Sequence, residues 1–121
     1  MKSFVSLPKA QPGDRIAVLS PSFAAPSISA AVHDQAIRRL ADSTGLVPIE
    51  FPTTRQLGAT AEARAADINA AFADPRIRAV IATTGGDDEV TVVPHVDTAA
   101  VTNDPKPFFG YSDNTNLHHL L

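Results

Sequence analysis

The run Ile77-Arg78-Ala79-Val80-Ile81-Ala82, passing directly into Thr83-Thr84-Gly85-Gly86-Asp87-Asp88-Glu89, constrains the fold of this chain more than any other stretch. A nearly unbroken apolar run of this length, bounded by turn formers, reads as a strand covered on both faces. That suits the centre of a parallel sheet better than an edge. A strand ending in a tight glycine turn before a helix is where many α/β enzymes expose a serine nucleophile. Here that place is acidic.

Arg15 to Leu19 and Val47 to Phe51 are two further strand-like runs, and helical patterns separate all three. Pro12-Gly13-Asp14 turns the chain into the first run, and Ser20-Pro21-Ser22 ends it, because the residue before proline avoids helical angles. From Ser29 to Thr44 the pattern predicts a helix with Val32, Ala36, Leu40 and Ala41 on its apolar face. His33, Gln35, Arg38, Arg39 and Asp42 fall largely on the opposite face, which makes His33 a solvated residue, and Gly45 is placed to terminate the helix. A second helix starts at Thr60 as N-cap, carries Ala61, Ala65, Ile68 and Phe72 on one stripe, and ends at Asp74-Pro75. Pro107-Phe108-Phe109-Gly110 reads as a fourth strand leading into a short helix from Asn114 to Leu121.

Alternating strands and helices with right-handed crossovers define an α/β fold, a doubly wound and mostly parallel sheet of the flavodoxin-like kind. Its loops gather at the C-terminal ends of the strands. Ser20 to Ala25, Thr84 to Glu89 and Tyr111 to Thr115 are therefore expected to meet.

With 121 residues the chain is expected to form one domain. A formal charge of −3 without a basic cluster argues against a nucleic-acid partner. The absence of cysteine excludes disulfides, thiolate catalysis and cysteine-ligated metals. The opening Met1-Lys2-Ser3-Phe4-Val5-Ser6-Leu7-Pro8 meets a proline before an apolar signal region forms, and no run is long and uncharged enough to span a bilayer. The expectation is a cytoplasmic domain away from membranes, and nothing in the sequence asks for a cofactor.

Several landmarks then line up in one order. They are Pro12-Gly13-Asp14-Arg15-Ile16-Ala17-Val18 with Ser20-Pro21-Ser22; Arg64-Ala65-Ala66-Asp67-Ile68-Asn69-Ala70-Ala71-Phe72; Gly85-Gly86 followed by Pro94-His95-Val96-Asp97; and Gly110-Tyr111-Ser112-Asp113-Asn114-Thr115-Asn116-Leu117-His118. In content and order they resemble the N-terminal domain of the LD-carboxypeptidase and microcin-immunity serine peptidases. That family cleaves a bond to a terminal residue in muropeptides or in peptide-nucleotide antibiotics. The resemblance covers nearly the whole chain and implies residues 1–121 as an N-terminal domain without its C-terminal catalytic lobe. It also implies a peptide-like small-molecule ligand. Because the last helix ends in Leu117, Leu120 and Leu121, the chain is expected to expose an apolar surface there that the second lobe or another copy would cover.

In the resembling family the glycine pair is followed by two variable residues and then the nucleophilic serine. Without a gap, that serine falls on Glu89. Gly85-Gly86 on one side and Pro94 and Asp97 on the other hold the register. Thr91 lies two positions too late, and on a helix two positions turn a side chain by roughly 200°. The glutamate and histidine that activate the family's serine come from the C-terminal lobe, and His95, His118 and His119 do not match that histidine. No catalytic residue is therefore assigned. Gly85, Gly86 and Asp87 take the place of the oxyanion turn, and Ser20, Ser22, Asp88, Tyr111, Ser112 and Asp113 are the substrate-binding candidates.

Each candidate also has a purely structural reading. Asp87, Asp88 and Glu89 would cap a helix N-terminus, where carboxylates meet free amides and the positive end of the dipole. Asp113 would cap the last helix in the same way, and Ser20 and Ser22 would be turn residues. No metal is assigned, because three consecutive acids at a helix start do not converge on one point.

Overall fold

A computed structural model describes residues 6–121, so Met1 to Val5, read above as part of a stretch too short for a signal segment, lie outside the described residues. The elements are β1 (Arg15–Leu19), α1 (Ala30–Thr44), β2 (Val47–Glu50), α2 (Ala61–Ala73), β3 (Ile77–Ala82), α3 (Thr98–Asn103), β4 (Phe108–Phe109) and α4 (Thr115–Leu120). The four strands form one sheet in the order β2-β1-β3-β4, and every pair is parallel. β3 is thus interior, as its apolar run requires, and the fold is the α/β, doubly wound class expected from the sequence.

Local chemistry sets the boundaries. Gly45 ends α1 at φ 72°, a left-handed angle that suits glycine, and a Cβ there would fall 2.9 Å from the Pro12 Cβ. The Gly13 amide donates to the Gly45 carbonyl at 2.8 Å, so the turn into β1 and the end of α1 are fastened together. Thr60 caps α2 by accepting from the Ala63 amide, and the helix stops before Asp74-Pro75. At its far end the buried Lys106 ammonium donates to the Ala71 and Asp74 carbonyls, which places a cation on the negative end of the α2 dipole.

One face of the sheet is closed. Ala17, Leu19 and Val80 pack with Ala65, Ile68, Ala71 and Phe72 of α2, and with Val92 and Leu117. Leu117, expected on an exposed apolar surface of the last helix, is fully buried instead, because α4 turns it into this core. Burying a large apolar side chain of this kind contributes roughly 1.5–3 kcal/mol. The opposite face carries α1 and corrects the sequence reading of that helix. Val32 is 65% exposed, whereas His33 is buried with Nε2 3.0 Å from Glu50 Oε1. The apolar stripe borders an open groove instead of a sealed interface. The imidazole turns towards β2, where Arg55 also pairs with Glu50, and a polar partner is what lets it be buried.

Among the described residues no helix is long and apolar enough to cross a membrane.

Candidate functional site

The segments Ser20 to Ala25, Thr84 to Glu89 and Tyr111 to Thr115 meet at the C-terminal edge of the sheet, and side chains tie them together. Asp113 is the centre of this junction. Its Oδ2 accepts from the Ser22 hydroxyl at 2.5 Å and from the Glu89 amide at 2.9 Å, while Oδ1 accepts from the Asn116 amide group at 3.0 Å. Arg64 is the second tie. Reaching up from α2, its guanidinium donates to the carbonyls of Pro21 and Ser22 at 3.1 and 3.2 Å and grips both carboxylate oxygens of Asp88 at 3.0 and 3.2 Å. A planar fork of donors is suited to holding a loop and a carboxylate at once.

Backbone approach explains the glycines. A Cβ on Gly86 would fall 2.3 Å from the Ser22 hydroxyl oxygen, and one on Gly85 would fall 3.0 Å from the Ser112 Cβ. Both positions are where a neighbouring loop passes. Ser112 itself has φ 59°, an uncommon left-handed angle for a residue with a side chain, and Tyr111 beside it is 75% exposed. Ser20 faces inward: its hydroxyl donates to the Thr54 carbonyl at 2.6 Å and lies 2.8 Å from the Thr83 hydroxyl. Its polar atom is engaged within the fold.

The structure corrects both capping readings. After the glycine turn the chain forms two short 3₁₀ turns, Glu89–Thr91 and Val93–His95, and no α-helix for three acids to cap. Pro94 lacks the amide a continuing helix would need, and β-branched Val92 and Val93 precede it. Asp88 serves Arg64, and Asp87 is exposed. Asp113 makes no cap either, since its carboxylate accepts from Ser22, from the Glu89 amide and from the Asn116 side chain, and from no amide of the helix start. The acid that does cap is Asp97, which accepts from the Ala99 and Ala100 amides at the start of α3.

Glu89 is the anomaly of the site. Its side chain is fully buried, and neither carboxylate oxygen has a hydrogen-bond partner. Burial, reinforced by the negative charge of Asp113, pushes its pKa up to about 7. The Leu117 backbone and Arg64 oppose that rise only in part, and Leu117 makes no hydrogen bond to either oxygen. At neutral pH this group is therefore poised between acid and anion.

Two residues that tie the site together received no site role from sequence. Arg64 stands there only as the first residue of a landmark segment, and Asn114, buried with its amide donating to the Thr84 carbonyl at 3.0 Å, only within another landmark and as a helix start. Nothing in the periodicity distinguishes them. The histidines lie elsewhere: His118 Nε2 is 2.9 Å from the Gly110 carbonyl oxygen with its ring edge-on to Phe108, and His95 lies 3.6 Å from Glu62. Beside the turn, Ser22, Phe23, Gln56, Leu57, Arg64 and Asp87 help line a cavity of about 250 Å³. A larger groove of about 580 Å³ lies under α1, lined by Val18, Ile37, Leu40 and Ile81 among others. It is mostly apolar and away from the turn, so the smaller cavity is the one that belongs to this site. Among the described residues no group of three or more acids or histidines is arranged to hold a metal ion.

A four-stranded parallel sheet with a glycine turn after an interior strand, and a second loop braced against that turn, defines a doubly wound α/β domain class. Residues 16–121 match the LD-carboxypeptidase N-terminal domain, and the chain belongs to that family. A candidate carboxypeptidase of Streptomyces coelicolor is 32% identical across the whole chain and 40% of its own length. The candidate carboxypeptidase YocD of Bacillus subtilis is 29% identical over 93% of the chain and 36% of its own length. Among solved structures, the microcin C7 self-immunity protein MccF superposes with a TM-score of 0.86 at 27% identity, over 95% of this chain and 35% of that one. An MccF-like protein from Bacillus anthracis strain Ames gives 0.85 at 31% identity, over 93% of this chain and 36% of that one. The chain thus spans little more than a third of the length of these relatives.

Proposed function

We propose that this domain is the N-terminal part of an LD-carboxypeptidase-like serine peptidase fold whose nucleophile position holds Glu89, and that these 121 residues alone do not hydrolyse peptides. The observation that carries the reading is the setting of Glu89: fully buried, with no partner on either carboxylate oxygen, so that burial favours its neutral form. A neutral carboxyl is not a nucleophile. Its anion is a weak one towards an amide, and the anhydride it would form is readily lost. A serine needs an adjacent base to act, and none of the described histidines is bonded to this turn. The ligand class in this reading is a peptide-like small molecule, either a muropeptide or an aminoacyl-nucleotide amide. Gly85, Gly86 and Asp87 take the oxyanion side, with Ser22, Asp88, Tyr111, Ser112 and Asp113 around it. The domain acts in the cytoplasm without a cofactor, and further polypeptide, a second lobe or another copy, covers its apolar groove.

A second reading, a ligand-binding module without chemistry, is favoured by the cavity of about 250 Å³ beside a firmly braced turn. One set of assays separates the two. The chain and its Glu89→Ala and Glu89→Ser variants are incubated with an L,D-tetrapeptide and with an aminoacyl-nucleotide amide, and products and binding are both followed. No turnover by any of the three is expected, because Glu89→Ser supplies a hydroxyl without its base. Binding without turnover selects the module. Turnover by the unmodified chain that vanishes in Glu89→Ala overturns the proposal and makes Glu89 catalytic.

A further inference from the structure

Among the described residues two acids are buried, and they are treated in opposite ways. Asp67 is held by the Thr53 amide and hydroxyl at 2.8 and 2.6 Å. Glu89 has nothing on either oxygen. Its backbone is nonetheless fixed, the amide donating to Asp113, and the turn it begins packs against α4 and the Ser112–Asn114 turn. A carboxyl without donors in such a place is tolerated as the neutral acid and strongly disfavoured as the anion.

The charged and titratable groups on the surrounding elements do not relieve this. Asp113 faces it with like charge from the loop before α4, and Asp87 and Asp88 precede it in its own turn. Arg64 is the one guanidinium reaching the site from α2, and it is engaged by Asp88 and two carbonyls. His95 follows in the next turn, beside Glu62, and His118 and His119 lie on exposed positions of α4.

We propose that Glu89 is a proton-operated latch on the loop junction. As the neutral acid it stays buried and keeps the Gly85–Glu89 turn seated against Asp113 and α4. On losing its proton it leaves that seat, and the turn comes free while the sheet stays intact. The elevated pKa places the transition near neutrality. This goes beyond the proposed function and does not rest on it, since it requires only the burial of Glu89 and its lack of partners.

The test is an NMR titration of the whole chain from about pH 5 to about pH 9, following the Glu89 carboxyl carbon and the amide exchange of residues 85–89 and 113–117. Glu89 is expected to titrate near pH 7, with exchange in those two segments, corrected for intrinsic base catalysis, rising on the order of tenfold through that midpoint while β1 and β3 stay protected. Glu89→Gln keeps the size and removes the proton, so it should hold both segments protected throughout. The histidines are unchanged in that variant, which separates their titration from that of Glu89. A Glu89 carboxyl titrating near 4.5 in the unmodified chain, or an exchange step that persists in Glu89→Gln, overturns the latch. The carbon titration of the unmodified chain decides the matter even if the variant fails to fold.

Discussion

The two faces of the sheet bury the same kind of residue with different success. Ala17 and Val80 point into a closed core under α2, where Phe72 supplies bulk, and Val92 and Leu117 close the margin from two other elements. Val18 and Ile81, their neighbours along β1 and β3, point to the other face, where α1 leaves a groove of about 580 Å³. An amphipathic helix therefore does not guarantee a sealed interface. The closed face is covered by three segments with a large aromatic at the centre. The open face is covered by one helix, whose Val32, Ala36, Ile37 and Leu40 line the groove.

The sharpest way to break this comparison is to remove the aromatic from the closed face. Phe72 is fully buried, so Phe72→Ala loses both transfer free energy and packing around the cavity it leaves, and should cost about 3–5 kcal/mol. Urea unfolding measures it. A loss under about 1 kcal/mol would mean that the two faces are equally loose.

Glu89 tests whether the closed face is uniform, because its turn leads into Val92 of that core while its own carboxyl is buried without a partner. Its folded pKa of about 7 lies above the ordinary carboxyl value of 4.5, so the folded state binds the extra proton between these values. Stability is full below about pH 4.5, falls as pH rises towards 7, and levels off above that. The total change from this group is about 3 kcal/mol. Glu89→Gln should flatten that part of the pH profile, and thermal unfolding across the range reads it. A wild-type profile that rises over this window in the same buffers would contradict the sign.

Arg64 joins α2, on the closed face, to the loops above the sheet. Arg64→Met keeps much of the stem's packing but leaves the Pro21 and Ser22 carbonyls without this donor and Asp88 without its fork. The expected cost is about 2 kcal/mol, smaller than for Phe72 because Asp88 is half exposed and can recover water. Arg64→Lys should recover only part of it, since an ammonium cannot grip both carboxylate oxygens and two carbonyls.

The same contrast separates what the sequence disclosed from what it hid. The strand runs, the Thr60 cap, the Gly45 stop and the stripe of α2 are local signals, and the fold carries them in the expected places. The meeting of three loops followed from topology alone. What stayed hidden depends on contacts distant in the chain. His33 is buried because Glu50 is opposite it, and Asp113 serves Ser22, 91 positions away, in place of its own helix. Asp88 likewise answers to Arg64 and not to the amides beside it. A short polar side chain reads as a cap when only its neighbours are visible. The distant partner that outcompetes them leaves no periodic trace.

The smallest expected effect lies on the open face. Ile28 and Val32 border the groove at 73% and 65% exposure, so truncating their apolar atoms removes little that folding has buried. The double substitution Ile28→Ser, Val32→Ser should change stability by less than about 1 kcal/mol. It should nonetheless weaken binding of an apolar fluorescent dye, because exposed apolar patches of this kind are where such probes settle. Urea unfolding and dye titration on the same two proteins read the two effects separately. A loss of more than about 2 kcal/mol would show that α1 closes onto β3 in solution and that the groove does not persist, which would erase the difference between the faces. Unchanged stability with unchanged dye binding would place the dye, and the accessible apolar surface, elsewhere on the molecule.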